Sequence, residues 1–313
     1  MLKVVAYRLA ISVPLLVIVS LVTFLIASLS PGNAALAILG QGATPEQIAE
    51  LEQALGLNKP VLVQYGDWLA GAIRGDFGSS LVTGQPVLQA LTQRLQPTLS
   101  LLISSVVVVA IIGCGLGVFA ATRGGALARI IDLLTFVGLA IPNFVFALYL
   151  IPLFALTLRL LPASGYSTLA EGIGPWASSL VLPVVAMAFG AVGTIAKQTR
   201  ASMEDALGRE FVPMMRANGY SRRSIVYRHA LKTAGMPMLT AIGLSAVGVI
   251  SGTVLLEAVF AFPGLGGLAV QASGQGDIPV VLGVTVMFTI FVIIINLLVD
   301  LGFAAINPKV RAA

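Results

Sequence analysis

The stretch EFVPMMRANGYSRRSIVYRHALKTAGMP, Glu210 to Pro237, lies between two long apolar runs and carries Arg216, Arg222, Arg223, Arg228, Lys232 and the only histidine, His229. Asn218-Gly219 in its middle is a helix stop, because Gly and Asn accept the left-handed conformation that closes a helix. Ser221 is then placed to cap a second helix. The stretch therefore predicts two short helices meeting at a tight turn, a basic knob facing the cytoplasm. Arg216, Ala217, Asn218, Gly219, Tyr220, Ser221, Arg222 and Arg223 form its tip. No nucleophile, carboxylate pair or metal-ligand cluster accompanies them, so the shape suits docking into a partner's groove rather than chemistry.

The flanking runs set the class of protein. Of 313 residues, 58% are hydrophobic and only 10% charged, and a mean hydropathy of +0.99 exceeds what a soluble domain carries. An all-α integral membrane protein is expected. Six runs approach or exceed the ~18 to 20 residues that cross a bilayer as a helix: Leu9–Leu29, Thr98–Ala121, Ile130–Leu158, Trp176–Ala196, Met236–Phe260 and Val280–Ile306. Such continuous runs exclude a β-barrel, whose strands alternate apolar and polar residues. Leu9–Leu29 also exceeds the ~7 to 15 apolar residues of a signal peptide, which favours an uncleaved first span. Lys3, Arg8, Arg123, Arg129, the eight basic residues from Lys197 to Lys232, Lys309 and Arg311 then fall on one side, against Lys59, Arg74, Arg94 and Arg159 on the other. This asymmetry places both termini in the cytoplasm and makes the net charge of +5 a topology signal rather than a nucleic-acid footprint. Cys114, alone in an apolar run, allows no intrachain disulfide and no cysteine metal cluster.

The chain divides into a first span at 1–29, an external helical loop at 30–97, a core of five further spans at 98–306 that includes the basic cytoplasmic segment 201–235, and a cytoplasmic tail at 307–313. Ser30-Pro31-Gly32 ends the first span and Pro97 opens the second. Within the loop, Thr44-Pro45-Glu46-Gln47 is a capping box with proline at the first helical position. Ile48, Leu51 and Leu55 share one face of that helix, and Leu62, Tyr65, Leu69 and Ile73 one face of the next. Tyr65 and Trp68 suit either the membrane interface or a partner contact. Gln47, Glu50 and Trp68 are the candidate contacts to an external protein. Gly113, Gly115, Gly117, Gly248 and Gly252 permit close helix packing. Pro142 and Pro152 bend the third span, and bent helices border solute paths as readily as they serve packing. Phe262–Gly267 is a glycine-rich outer segment. Gly-Lys occurs nowhere in the chain, which excludes a P-loop. Glu257 and Asp300 are acids near span ends, candidates, Glu257 above Asp300, for a gate or the solute path, with structural pairing as the alternative. Ser245 and His229 belong to a span and to the inner loop, out of the mutual reach that a hydrolase needs.

Phe211 to Pro237 resembles the cytoplasmic loop of ABC-importer permeases, the loop named for its Glu-Ala-Ala signature, with Gly219 at that motif's glycine. Eight further segments, in register along nearly the whole chain, resemble the dipeptide, oligopeptide and nickel branch: Leu39–Gly42 through Leu55–Leu57, Arg74–Gly78, Thr83–Val87, Ile141–Phe144, Leu161–Gly165, Thr199–Met203, Arg228–Lys232 and Phe262–Gly266. Pro213, Met214 and Met215 stand in place of Glu-Ala-Ala, Lys232 where other importers carry proline, and Asn33 where the branch often has aspartate.

The resemblance implies a type I importer permease fold (MetI-like): six transmembrane helices, with a helical external loop after the first, in a bacterial or archaeal inner membrane. It implies a transport subunit, not itself catalytic, of an ATP-driven, binding-protein-dependent importer for dipeptides or oligopeptides, with nickel complexes, glutathione or another small solute as alternative cargo. The implied partners are a second homologous permease, two cytoplasmic ATPase subunits and an external solute-binding protein. ATP and Mg would bind the ATPases and no cofactor this subunit, whose tip residues 216–223 would couple to the motor. The rival reading, a secondary transporter using Glu257 or Asp300, leaves the knob unexplained.

Overall fold

The computed structural model describes residues 2–29, 34–40 and 42–306. The break at Ser30-Pro31-Gly32, Asn33, Gln41 and the tail with Lys309 and Arg311 lie outside the described residues. In chain order the helices are α1 (Leu2–Leu29), α2 (Ala34–Leu39), α3 (Pro45–Ala54), α4 (Val61–Ala72), α5 (Val87–Arg123), α6 (Ala126–Ala140), α7 (Asn143–Leu150), α8 (Ile173–Gly208), α9 (Phe211–Ala217), α10 (Arg222–Ser224), α11 (Leu231–Val259), α12 (Leu265–Gln275) and α13 (Ile278–Ile306). A π-helical stretch, Ile151–Thr157, extends α7, and a second, Ile225–Ala230, joins α10 to α11. Ahead of α8, the 3-10 turn Leu169–Glu171 is closed by a capping box. There Glu171 accepts from the Thr168 backbone N–H (3.1 Å) and hydroxyl (3.0 Å), which holds its carboxyl below the usual range.

Five helical segments are long and apolar enough to cross a membrane: α1, α5, α8, the run from Arg222 to Val259, and α13. The expected third span is not one helix. It breaks between α6 and α7, whose axes are bent by 97°, and the pair makes a sixth span if counted together. Ile141 is extended (φ −101°, ψ 117°) because the ring of Pro142 excludes the helical region for the residue before it. Pro152 causes no such break and lies within the π-helical stretch. Pro97, expected to open the second span, instead sits inside α5, which begins already at Val87. The connecting segment therefore ends at 86, since a proline is tolerated within a membrane helix where neighbours satisfy the freed backbone groups.

Contacts divide the chain into two units. One comprises Leu2–Thr98 and Pro263–Ile293. Here the Thr44 hydroxyl accepts from the Gln47 backbone N–H (3.4 Å) and the Gln47 side-chain oxygen Oε1 accepts from the Thr44 backbone N–H (3.0 Å), as the capping box predicts. Phe24, Tyr65 and Leu282 are buried together, and the Tyr65 hydroxyl reaches Ser20 Oγ (3.0 Å) and the Val17 carbonyl (3.1 Å) of α1. Leu62 and Ile73, expected on the same buried stripe of α4, are 68% and 79% exposed, because only the Tyr65–Leu69 flank meets α1. The glycine-rich segment after Phe262 holds α12. Its first N–H, on Leu265, donates to Thr98 Oγ1 (2.8 Å), a cap supplied from far along the chain.

The other unit comprises Leu99–Phe262 and Ile294–Ala313. Its centre is α8, which packs on α6, α7 and α11. Gly138 of α6 and Gly190 of α8 touch backbone to backbone: a Cβ on Gly138 would lie 2.7 Å from Gly190 Cα, and one on Gly190 2.5 Å from the Gly138 oxygen. Gly113 and Gly117 seat α5 on Ile195 and Thr199 of α8, and Gly252 meets Met187, whereas Gly115 and Gly248 face open space.

Candidate functional site

The knob is built from the end of α8, from α9 and from the start of the Arg222–Val259 run. Pro213 falls in the first turn of α9, where a missing amide hydrogen leaves no helical bond unmade. The helix ends as the sequence predicts. Gly219 is left-handed (φ +79°), its N–H donates to the Arg216 carbonyl (3.0 Å), and the Tyr220 N–H donates to the Met215 carbonyl (3.1 Å). Ser221 caps the next helix by accepting from the Ser224 N–H (3.3 Å). That second arm is not a short helix, however. No stop signal follows Ser221, so α10 passes through the π-helical stretch into α11 and forms the inner end of a spanning segment.

Two buried clusters fix the knob to the helices that carry it. Val212, Met215 and Ile225 join α9 to the second arm, with Leu207 and Phe211 against them. Val118, Met203, Ala206, Val226 and Ala230 join that arm to α5 and α8, with Leu207 packed there too. Arg216 to Arg223 are all exposed. Their roles nevertheless differ. Arg222 Nη2 donates to the Thr122 carbonyl (2.6 Å), one of the last carbonyls of α5, which lack helical partners. Tyr220 sets its ring edge-on to His229 at 5.9 Å. Arg216 and Arg223 make no hydrogen bond or ion pair through their side chains among the described residues.

A cavity of about 860 Å³ opens between α6, α7, α8 and α11, at the break that Pro142 makes. Its wall is largely apolar, with Asn143, Thr194, Gln198, Thr240 and Ser245 as its polar groups. Pro142 lines this cavity; Glu257 does not, being 1% exposed near the end of α11, and Asp300 does not either. The polar wall was missed in the sequence because each group looks ordinary alone. Its only trace is spacing, Thr194 and Gln198 one turn apart on α8 and Thr240 and Ser245 on the facing stretch of α11.

The candidate external contacts are scattered. Gln47 is engaged in the capping box, Glu50 is exposed on α3, and Trp68 packs between Tyr65 and Phe77 with ring centroids 6.0 and 6.4 Å away. Half-buried Trp68 is thus part of an aromatic cluster rather than a free surface ring.

Residues 113–312 match the family described as "Binding-protein-dependent transport system inner membrane component", and residues 1–102 match the family for the N-terminal part of such membrane components. The chain belongs to this family. The permease is 39% identical over 305 residues, 97% of each chain, to the probable peptide ABC transporter permease protein y4tP of Sinorhizobium fredii. It is 32% identical to the oligopeptide transport system permease protein AppB of Bacillus subtilis, over 97% of this chain and 98% of that one. Among solved structures it shares its fold with a chain of the inward-facing MetNI methionine ABC transporter, with a TM-score of 0.56, 19% identity, and coverage of 70% of this chain and 97% of the other. It is a multi-pass membrane protein and an ABC importer permease.

Proposed function

We propose that this permease is one of two membrane subunits of an ATP-driven importer for dipeptides or oligopeptides. Its other partners would be two cytoplasmic ATPase subunits, which bind ATP and Mg, and an external solute-binding protein that delivers cargo. The subunit itself would catalyse nothing and need no cofactor. Both termini would face the cytoplasm, on the same side as the knob. The observation that carries this reading is the knob: an exposed basic tip, held by buried clusters to three helices and continuous with a spanning segment. A rigid element of that kind can turn the closing of a motor into rotation of the helices behind it. The peptide relatives support the cargo class.

The cavity at the α6–α7 break fits this subunit's face of the solute path, because irregular backbone at membrane depth persists where it lines a cavity. The position of Glu257 and Asp300 away from its wall speaks against an ion-coupled carrier. The test is reconstitution of this chain with its partner permease, ATPases and binding protein. Uptake of trialanine into proteoliposomes should require both ATP and the binding protein; uptake driven by an ion gradient without ATP would refute the reading.

A further inference from the structure

We propose that a groove between the start of α11 and the end of α13 is a binding site for one anionic phospholipid, drawn from the membrane leaflet on the knob's side. The two helices meet through glycines: a Cβ on Gly243 would lie 2.6 Å from Val299 Cγ2, and one on Gly302 would strike Leu239. Beside this seam they leave a groove of about 460 Å³. Tyr227, Lys232, Gly235, Leu239 and Ile242 line it in that order along one helical run, and Ile306 of α13 bounds it opposite. Gly235 keeps it open, since a Cβ there would press on Ile306 Cδ1 at 3.2 Å.

The chemistry of the groove changes along its length. Tyr227 and Lys232 are exposed at one end. Among the described residues neither side chain makes a hydrogen bond or ion pair, nor does that of Arg228, four residues before Lys232. Of the carboxylates on this side, Asp132 and Glu204 hold Arg200, Asp205 holds Arg209, and none, Glu210 and Asp300 included, lines the groove. Beyond Gly235 the lining is apolar. The apolar run of this span begins at Met236. Lys232 therefore stands about 6 Å outside the hydrocarbon at 1.5 Å per residue, within the headgroup layer of about 5–8 Å, and Ile242 lies about 9 Å inside it.

That order, a cation and a phenol at headgroup depth followed by an apolar trough, matches an amphiphile lying along the groove. Its phosphate would meet Lys232, whose long stem carries the charge toward the interface, and one acyl chain would lie against Leu239 and Ile242. The charge selects the class of lipid. A zwitterionic headgroup brings a cation of its own, which finds no carboxylate in the lining and stands close to Lys232 and Arg228, whereas an anionic headgroup brings none. Size argues against a protein occupant. Spread over the roughly 15 Å from Lys232 to Ile242, the volume gives a cross-section of about 30 Å², room for a hydrocarbon chain but less than half of the roughly 80 Å² of an α-helix.

The test is photolabelling of the complete importer, this chain with its partner permease and ATPases, in phosphatidylcholine nanodiscs. A trace of phosphatidylglycerol or of phosphatidylcholine, each with a diazirine in one acyl chain, would be activated and the labelled peptides mapped by mass spectrometry, scaled to the labelling of α1. The phosphatidylglycerol label is expected on residues 235–242 and on the peptide holding Ile306, suppressed by unlabelled phosphatidylglycerol, with the phosphatidylcholine label weaker there. Lys232→Gln should lower it about fivefold, the contribution of one basic residue near an anionic headgroup, and Lys232→Arg should retain it. Lys232 is exposed and without a partner, so the loss of its charge leaves the packing of α11 intact. Equal labelling by the two lipids, or an unchanged signal in Lys232→Gln, would overturn the proposal. So would an unlabelled groove in the complete importer, which would show that a protein subunit covers it. None of these readouts requires transport, so an importer that takes up no trialanine would sink the import reading and leave this one to be decided by the labels.

Discussion

Replacing Gly219 with valine isolates the contribution of the knob's turn. The residue sits at φ +79°, and a Cβ built there meets nothing within 4 Å. The Cβ therefore collides with nothing, and the cost counted here is that of the backbone, about 1–2 kcal/mol for an L-residue held in the left-handed region. That cost opposes the two bonds that close α9, from the Gly219 N–H to the Arg216 carbonyl and from the Tyr220 N–H to the Met215 carbonyl. An opening of the turn favoured by 1–2 kcal/mol changes its population by a factor of about 5 to 30. The spanning run starts beyond Ser221, so membrane insertion should be unaffected. Titration of the detergent-purified permease with its ATPase subunits should show affinity reduced by at most that factor, since affinity falls only with the fraction of closed turn, and ATP-driven uptake reduced in step. Gly219→Asn is the discriminating companion, because asparagine visits this conformation readily; its affinity should stay near wild type. Wild-type affinity in the valine variant, or an asparagine variant as weak as valine, would refute the reasoning.

Three further outcomes follow from single contacts. Arg222→Gln should leave ATPase binding intact but lower uptake per ATP hydrolysed, because it severs the bond to the end of α5, whereas Arg223→Gln should weaken binding itself; the same loss of binding in both would make Arg222 a docking residue. Gly190→Ala must push α6 away from α8, since its Cβ would lie 2.5 Å from the Gly138 oxygen, and should cost about 1–3 kcal/mol, read as a lower unfolding temperature. Gly248→Ala, with open space at its Cβ, is the control that should not shift through contact with neighbours. Asp277→Ala removes the carboxylate that accepts from the Ser80 hydroxyl and, at 3.1 Å, the Leu81 N–H; it should cost about 1–3 kcal/mol and speed amide exchange over residues 79–86.

What the sequence discloses and what it hides separate by the range of the contact involved. The box at Thr44–Gln47, the stop at Asn218-Gly219 and the cap at Ser221 were all legible, since each is settled within about one helical turn; at Pro142 a bend was legible, but not the 97° break that divides the third span. The start of α12 was not, because its cap is Thr98; nor was the Gly138–Gly190 contact, because a glycine on a span does not name the glycine opposite. Pro97 misled for a related reason: proline reads as a helix opener, and only the surrounding helices decide whether it is absorbed.

The same distinction bears on function. The notched tip was visible as a motif, but not that its second arm and one wall of the cavity belong to a single helical run. Arg222 lies at one end of that run, and Thr240 and Ser245 face the cavity further along it. The π-helical stretch Ile225–Ala230 and Pro237 are the local irregularities between them. A tilt imposed at the tip therefore reaches the cavity wall along one backbone, while Arg222 delivers it in parallel to the end of α5. Two routes from one knob would let a short basic turn act on a cavity that it does not touch.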